Sequence, residues 1–304
     1  MNVTGTEVAA EAGVVAARCR SLVLCADDFG YGEEIDEAIL ALIEAGRLTA
    51  TGCMVAGDRF RRDAPRLAAL SDRADIGLHF TLTELPPLGA IPSLAPDGRP
   101  QTLSSVLARA LTGRLDYAEI AAEIGRQIGR FREVFGRSPD FVDGHQHVHV
   151  LPTVRRALFA AFDEGLLDRA TTWVRDCHEP LTTIVGRGIE VPKTVFVSLL
   201  SAGMAREAAA HGILVNDGFR GVTAFATDRS YRANFRRFLE GAGERPLAMC
   251  HPARPGAGAA SGDAIAAARH GEWAYFSGDD FPADLAAAGV RLGRMRRRAA
   301  AVRG

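Results

Sequence analysis

Three histidines alternate with other residues in one short segment, Asp143-Gly144-His145-Gln146-His147-Val148-His149. In an extended strand, side chains two positions apart lie on one face, so this spacing predicts that the three imidazoles are aligned with Asp143 beside them. Imidazoles on a common face can bind a divalent metal or transfer protons. The chain has eight histidines in 304 residues, so three in one pentapeptide argue against a surface run with no role.

Further polar residues stand where other predicted strands end. Asp27 and Asp28 follow the first strand, His79 lies at the end of the third, and His251 follows the last. The carboxyl ends of parallel strands lie at the same edge of a sheet, and sites in such folds form at this edge. We therefore expect residues that are far apart in the sequence to meet there.

The residue types at this edge predict a metal site and an acid–base pair. Asp28, His79 and His145 offer one carboxylate and two imidazoles, a set that suits Zn²⁺, Mn²⁺, Fe²⁺ or Co²⁺ better than Mg²⁺. Asp27 could act as a base toward water, and His251 as an acid toward a leaving group. Each residue alone has a plainer interpretation: a helix cap for the aspartates, a core histidine for His79 and a turn residue for His251.

The order of apolar segments predicts an α/β fold with a parallel sheet. Strands are expected at residues 21–26, 50–56, 75–80, 140–146, 171–175, 213–216 and 246–250, and helices at residues 32–45, 117–135, 153–164, 193–210 and 230–240. This alternation is typical of one parallel α/β domain. Residues 86–100 are rich in Pro and Gly and are expected to form a long loop, which in compact domains is often a functional lid.

We divide the chain into a flexible extension at residues 1–20, one domain at residues 21–295 and a basic tail at residues 296–304. The tail continues a stretch, residues 291–303, that contains six arginines and is expected to be solvated. The net charge of −1 argues against a nucleic-acid partner. No apolar run reaches the ~20 residues of a membrane span, and the start does not resemble a signal peptide, so we expect a cytoplasmic protein without stable membrane insertion.

Some chemistries are disfavoured by what the sequence lacks. The five cysteines are scattered and contain no Cys-x-x-Cys pair, which predicts neither disulfides nor a thiolate zinc site. There is no G-x-G-x-x-G after a strand, no Walker loop, no G-x-S-x-G and no H-E-x-x-H. Nucleotide-dependent chemistry and serine hydrolysis are therefore not expected.

Several motifs together resemble the YdjC-like carbohydrate deacetylases. They follow the order of that family between about residues 20 and 295, and they are Ala26-Asp27-Asp28-Phe29-Gly30, Ile76-Gly77-Leu78-His79, Phe135-Gly136-Arg137, Asp143-Gly144-His145-Gln146-His147-Val148-His149 and Met249-Cys250-His251-Pro252. The chain departs from the family in about 20 additional residues before the first strand. It also has Tyr31-Gly32-Glu33 where relatives often have Leu-Ser and a small residue.

The resemblance implies a distorted, seven-stranded (β/α) barrel related to polysaccharide deacetylases. It implies one divalent cation, commonly Mg²⁺ in this family, held by Asp28, His79 and His145, with Asp27 as the base. The reaction would be hydrolysis of the N-acetyl group of an amino sugar, in an oligosaccharide or a glycolipid, by attack of metal-bound water on the acetyl carbonyl. His251 is our candidate for the acid.

Four further residues are assigned to substrate binding or to orienting the ligands: Asp143, His147, His149 and Arg175. Two other functions stay open at this stage, a metal-dependent phosphoesterase on a similar barrel and a non-catalytic sugar-binding relative. The first usually has His-x-His on its first strand, where this chain has Asp27-Asp28, and the second would be expected to lack the base or a ligand. The sequence leaves a homo-oligomer open.

Overall fold

The computed structural model describes residues 20–226, 230–241, 243, 245–256 and 263–295. The expected tail at residues 296–304 lies outside the described residues, and so does the expected extension at residues 1–20 apart from Arg20.

Eight strands of the described residues form a parallel sheet: β1 (Arg20–Phe29), β2 (Ala50–Cys53), β3 (Asp75–Phe80), β4 (Phe141–Gly144), β5 (Trp173–Val174), β6 (Phe219–Arg220), β7 (Leu247–Cys250) and β8 (Val290–Leu292). Seven of them follow the order β5-β4-β3-β2-β1-β7-β6, and β8 pairs with the first residues of β1. Val174 in β5 also bridges in parallel to Val215, which precedes β6, so the two ends of the path meet. The expected distorted seven-stranded (β/α) barrel is confirmed, with β8 as an addition that was not predicted.

Helices connect the strands, and the described residues contain α1 (Glu33–Glu44), α2 (Phe60–Ala68), α3 (Leu103–Leu111), α4 (Tyr117–Phe135), α5 (Pro152–Asp163), α6 (Leu181–Arg187), α7 (Val191–Leu200), α8 (Met204–Ala210), α9 (Tyr231–Phe238), α10 (Ala266–Ser277) and α11 (Asp280–Ala287). Local sequence sets the limits of α4: the Asp116 carboxylate accepts from Glu119 N at 3.0 Å, and Gly136 ends the helix at φ 66°. No helix of these described segments is both long and apolar enough to cross a membrane.

The structure corrects several expected elements. The segment at residues 193–210 is two helices, α7 and α8, which are separated by a turn that contains Gly203 at φ 82°. The segment at residues 213–216 contributes one bridge through Val215, and the sixth strand follows at Phe219. The expected strand at residues 140–146 ends at Gly144, and a 3₁₀ helix, His145–Val150, follows it.

The long loop at residues 86–100 is present but does not cover the cavity at the carboxyl ends of the strands. None of its residues lines that cavity. The loop packs on α4 instead, where Glu123 accepts from Leu88 N at 2.8 Å and Glu119 accepts from Ser93 Oγ at 2.6 Å. These contacts hold the loop against the helix, so the lid that its composition suggested is not formed.

The turn after β1 is held by a buried carboxyl group. Asp36 of α1 is fully buried and its Oδ1 accepts from Gly30 N at 2.6 Å. Gly30 has φ 94°, and a Cβ at this position would lie 3.0 Å from Met54 O. This contact fixes α1 relative to the end of β1, where Asp27 and Asp28 stand.

The buried Asp36 makes stability depend on pH. Burial raises the pKa of Asp36 to about 8, so its carboxyl stays protonated in the fold while it ionises near pH 4 in the unfolded chain. Its contribution to stability is therefore full below about pH 4 and is lost as the pH rises to about 8. Asp36→Asn, which keeps an acceptor for Gly30 N, is expected to flatten this part of the pH dependence.

Urea unfolding of the parent protein and of Asp36→Asn between pH 4 and 8.5 measures the pH dependence of the free energy of unfolding. Asp97→Asn, which replaces an exposed carboxylate, is the matched control and should leave the pH dependence as in the parent. An Asp36→Asn protein with the same pH dependence as the parent would contradict a raised pKa at this position.

Candidate active site

Polar side chains from several strand ends, from a loop and from a helix line one cavity of about 530 Å³ at the carboxyl edge of the sheet. They include Asp27, Asp28, His79, Glu84, His145, Gln146, His147, His251 and Arg269. The parallel topology accounts for this convergence, because β1, β3, β4 and β7 all end at the same edge.

Asp28, His79 and His145 present three ligand atoms to one point. Asp28 Oδ1 lies 3.1 Å from His145 Nδ1 and 3.4 Å from His79 Nε2, and the ligand atoms of the group are all within 4.8 Å of one another. Ligands that each lie about 2.1 Å from one ion are about 3.0 Å apart in an octahedral and about 3.4 Å apart in a tetrahedral arrangement. The spacing and the donor types therefore fit a single divalent cation.

Each of the two imidazoles is oriented by a carboxylate on its other nitrogen. Asp143 Oδ1 lies 2.6 Å from His79 Nδ1, and Glu84 Oε2 lies 3.0 Å from His145 Nε2. Such contacts set the tautomer and direct the remaining nitrogen, here toward Asp28. Burial lowers the pKa of His79, but the carboxylates of Asp143, Asp27 and Asp28 together outweigh this effect and raise the pKa to about 10. A cation would have to displace such protons to bind.

The second oxygen of Asp28 is occupied by an arginine. Arg269 of α10 donates from Nη2 to Asp28 Oδ2 at 2.6 Å and from Nε to Asp263 Oδ2 at 2.7 Å. Asp28 has φ 73°, and the pairing of β1 with β2 shifts register at this point, so its side chain leaves the regular strand pattern. Oδ1 of Asp28 is thus the oxygen that faces the imidazoles.

Asp27 is held away from that group by a second arginine. Arg175 donates to both Asp27 oxygens, at 2.7 and 2.6 Å, and its Nη2 lies 2.5 Å from Asp143 Oδ2. Burial raises the pKa of Asp27, but Arg175, together with His79 and His251, outweighs this effect and holds the pKa well below its usual range. Cys25, Asp27 and Asp143 also have metal-type spacing, but the guanidinium already supplies a positive charge to this second cluster.

His251 completes the polar end of the cavity. Its Nε2 lies 3.9 Å from Asp27 Oδ2, and its ring meets Phe225 edge to face at 5.2 Å between ring centroids. Glu272 accepts from the backbone N of His251 at 2.5 Å, which fixes the loop after β7. Burial lowers the pKa of His251 to about 4, so its ring is neutral at pH 7.

The prediction that His145, His147 and His149 are aligned on one strand face is wrong. Gln146 and His147 have φ 51° and 62°, and Gly144 packs so closely that a Cβ there would lie 2.9 Å from His149 N. The chain therefore coils after Gly144 and sends the three imidazoles in different directions. His145 faces Asp28, and the half-buried His147 lines the cavity. His149 is buried and its Nε2 lies 3.0 Å from Arg175 O.

Sequence reasoning missed two residues of this site, Glu84 and Arg269. Glu84 follows β3 by four residues and has φ 63°, and Arg269 lies in a helix near the end of the chain. Neither stands at a strand end or in a motif with recognisable spacing. No local pattern in the sequence marks Glu84 or Arg269, because a loop brings the first to the site and a helix brings the second.

Comparison with known proteins relates the chain to one family. The profile described as YdjC-like protein matches residues 21–287. A carbohydrate deacetylase of Mus musculus is 33% identical over 261 residues, which cover 79% of this chain and 80% of that protein. A chitooligosaccharide deacetylase of Enterobacter sp. (strain 638) is 32% identical over 215 residues, which cover 66% of this chain and 84% of that protein.

A solved structure supports the fold. A proposed cellobiose-phosphate cleavage protein of Enterococcus faecalis V583 aligns with a TM-score of 0.66 and 18% identity over 90% of this chain and 97% of that chain. At this identity the similarity concerns the architecture alone.

Proposed function

The chain belongs to the YdjC-like protein family, and on this premise we propose that it is a metal-dependent carbohydrate deacetylase. Its substrate would be an N-acetylated amino sugar, and the reaction would hydrolyse the amide to acetate and a free amine. The relatives named carbohydrate deacetylase and chitooligosaccharide deacetylase support the reaction class.

The observation that carries this proposal is the separation of two neighbouring carboxylates. Asp28 points to the two imidazoles, while Asp27 is paired with Arg175 and stays outside the group of ligand atoms. Hydrolysis of an amide needs an electrophilic centre and a separate proton acceptor, and this arrangement offers both in one cavity.

Asp28, His79 and His145 would hold the cation. A divalent ion at this place would polarise the acetyl carbonyl and lower the pKa of a water molecule. Two imidazoles with one carboxylate oxygen favour Zn²⁺ or another transition metal over Mg²⁺, which prefers an all-oxygen set. The donor set thus points away from the Mg²⁺ that the family resemblance implied.

Asp27 and His251 would move the protons. Asp27 is ionised at neutral pH and can accept a proton from the attacking water, and Arg175 holds it in place for this step. His251 is neutral, so the proton that it gives to the departing amine has to arrive during the reaction. Asp27 Oδ2, at 3.9 Å from His251 Nε2, is the group from which it can come.

The remaining predicted residues divide into two groups. His147 lines the cavity and would contact the sugar. Asp143, His149 and Arg175 are buried behind the polar end and support the residues in front: Asp143 orients His79, and His149 contacts the Arg175 carbonyl oxygen. We assign substrate contact to His147 and a positioning role to the other three.

The proposal is tested by acetate release. The purified protein is stripped with a chelator, reloaded with Zn²⁺, Mn²⁺, Co²⁺ or Mg²⁺, and incubated with N-acetylglucosamine oligomers. Release that depends on added cation supports the proposal. Hydrolysis of p-nitrophenyl phosphate without acetate release from any amino sugar would favour the phosphoesterase. If neither reaction is observed, the result would favour a non-catalytic sugar-binding relative.

Removal of the Glu84 carboxylate is expected to weaken cation binding. Glu84→Gln leaves His145 Nε2 without its anionic partner, so the imidazole loses the contact that fixes its tautomer and its orientation. Loss of such a partner typically costs 10–100-fold in metal affinity or activity. Isothermal titration calorimetry measures the dissociation constant for Zn²⁺ of the parent protein and of Glu84→Gln.

Glu133→Gln serves as the control, because Glu133 pairs with Arg61 on the surface and does not line the cavity. It should bind Zn²⁺ as the parent does. Parent-like affinity in Glu84→Gln would show that Glu84 does not support the site.

A further inference from the structure

We propose that Arg269 is a positioning residue of the metal site: it restricts Asp28 to one oxygen toward the cation and so keeps a coordination position open. This inference rests on the proposed metal-dependent deacetylase function. It is carried by the different partners of the two Asp28 oxygens. Oδ1 lies 3.1 Å from His145 Nδ1 and 3.4 Å from His79 Nε2, whereas Oδ2 accepts from Arg269 Nη2 at 2.6 Å.

Arg269 is itself held in place on its other side. Its Nε donates to Asp263 Oδ2 at 2.7 Å, and Asp263 Oδ1 accepts from Ile265 N at 3.1 Å, directly before α10 begins. The backbone O of Arg269 accepts from Ala253 N at 3.2 Å, and the residue is 3% exposed. A guanidinium is a rigid planar fork of donors, so it can span two carboxylates with a fixed geometry. Asp263 therefore fixes the group that fixes Asp28.

The conformation of Asp28 gives this contact its importance. Asp28 has φ 73°, a left-handed conformation that costs free energy in a residue other than glycine and persists only where the surroundings enforce it. Tyr31 N donates to Asp28 O at 3.1 Å, which fixes the backbone but leaves the carboxylate free to rotate. The rotation decides whether one or both oxygens face the imidazoles, and Arg269 is the group that holds Oδ2 away from them.

The charge of Arg269 opposes binding of a cation, while its geometry serves the reaction. A guanidinium and a divalent ion on the same carboxylate repel each other. A carboxylate can bind a cation through one or both oxygens, and catalytic metal sites keep one position open for water or substrate. With Oδ2 held by Arg269, Asp28 offers a single oxygen. The protein thus has a lower affinity for the cation and retains the open position.

Binding of Zn²⁺ to Arg269→Gln provides the test. Glutamine is neutral and shorter, so Oδ2 of Asp28 loses its charged partner. We expect the dissociation constant for Zn²⁺ to be at least about tenfold smaller than in the parent, because a repelling positive charge is removed from the carboxylate that holds the cation. If Arg269 served only to maintain the fold, its loss would weaken binding instead. Isothermal titration calorimetry measures the constants of both proteins at one pH.

A second measurement reads the coordination directly. The visible absorption spectrum of Co²⁺ depends on the number and geometry of its donors. In the Co²⁺-loaded protein this spectrum is expected to change on Arg269→Gln, because Asp28 then supplies its second oxygen. Acetate release by the same variant should fall, since this oxygen takes the position that water or substrate needs.

Arg187→Gln is the matched control. Arg187 is also buried, and its Nη1 lies 3.4 Å from the buried Glu179 Oε2, but neither residue lines the cavity. Its Zn²⁺ affinity and its Co²⁺ spectrum should equal those of the parent. Asp263→Asn tests the arrangement from the other side. It leaves Arg269 with one anionic partner, Asp28, so Zn²⁺ binding is expected to weaken about threefold or more.

The outcomes separate the two levels of the proposal. Zn²⁺ affinity in Arg269→Gln that is equal to or below that of the parent, or an unchanged Co²⁺ spectrum, overturns the role of Arg269; acetate release by the parent then leaves the deacetylase function standing. A parent that binds no cation and releases no acetate from any amino sugar overturns the deacetylase function, and with it this inference. If Arg269→Gln does not fold, unchanged or tighter Zn²⁺ binding in Asp263→Asn overturns the role of Arg269.

Discussion

The His145→Ala variant is expected to release no measurable acetate and to retain no more than background metal. The three proposed ligands, Asp28, His79 and His145, are brought together in the structure, and the loss of one would leave two, which is too few to hold a divalent ion in a site of this type. Elemental analysis of the purified protein, alongside the acetate assay, measures both effects. The same result is expected for Asp28→Ala and His79→Ala.

His147→Ala is the control for this experiment. It removes an imidazole that lies two residues away in the same 3₁₀ segment and faces the cavity, but His147 is not a member of the group of ligand atoms. Metal content should therefore equal that of the parent, although substrate binding is expected to weaken. Full metal occupancy in His145→Ala would remove this residue from the proposed ligand set.

The Asp27→Asn variant is expected to keep its metal and its fold but to lose ~10²-fold or more in kcat, which is the usual contribution of a general base. Asparagine has nearly the same shape and still accepts one hydrogen bond from Arg175, but it cannot take a proton from water. The decisive measurement is metal content beside kcat on the same preparation.

Asp284→Asn controls for the loss of a buried carboxylate that is paired with an arginine. Asp284 of α11 accepts from Arg232 at 2.9 Å and does not line the cavity, so kcat should stay as in the parent. Near-normal turnover in Asp27→Asn would end the assignment of Asp27 as base. Loss of the metal in the same variant would indicate that Asp27, and not Asp28, ligates it.

The two carboxylate clusters in this protein show how neighbouring groups of similar type are directed to different tasks. Asp28 meets two imidazoles and leaves a place for a cation, whereas Asp27 and Asp143 enclose the guanidinium of Arg175. A buried negative charge needs a positive partner, and a guanidinium satisfies this need permanently. Arg175 thus occupies the oxygens that the second cluster would offer to a cation, whereas Arg269 occupies only Oδ2 of Asp28 and leaves Oδ1 facing the two imidazoles.

The sequence by itself determined the parallel α/β architecture and the edge at which the site forms. Apolar strands and amphipathic helices alternate along the chain, and polar residues follow the strands, so the order of residues alone places Asp27, Asp28, His79 and His251 at one edge. These features are local and periodic, and the rule that parallel strands share an edge converts them into proximity.

Tertiary structure alone decided which side chains face one another. The periodicity of a strand predicted aligned histidines, but positive φ values at Gln146 and His147 coil the segment and send His149 into the core. Glu84 and Arg269 reach the site from a loop and a distant helix, and their roles depend on contacts with residues 61 and 241 positions away in the sequence. Side chains of α3 and α7, which are far apart in the sequence, likewise border the same cavity. A single sequence encodes the direction of a side chain only within a regular element, whereas irregular backbone and contacts between elements are set by the packing of the whole domain.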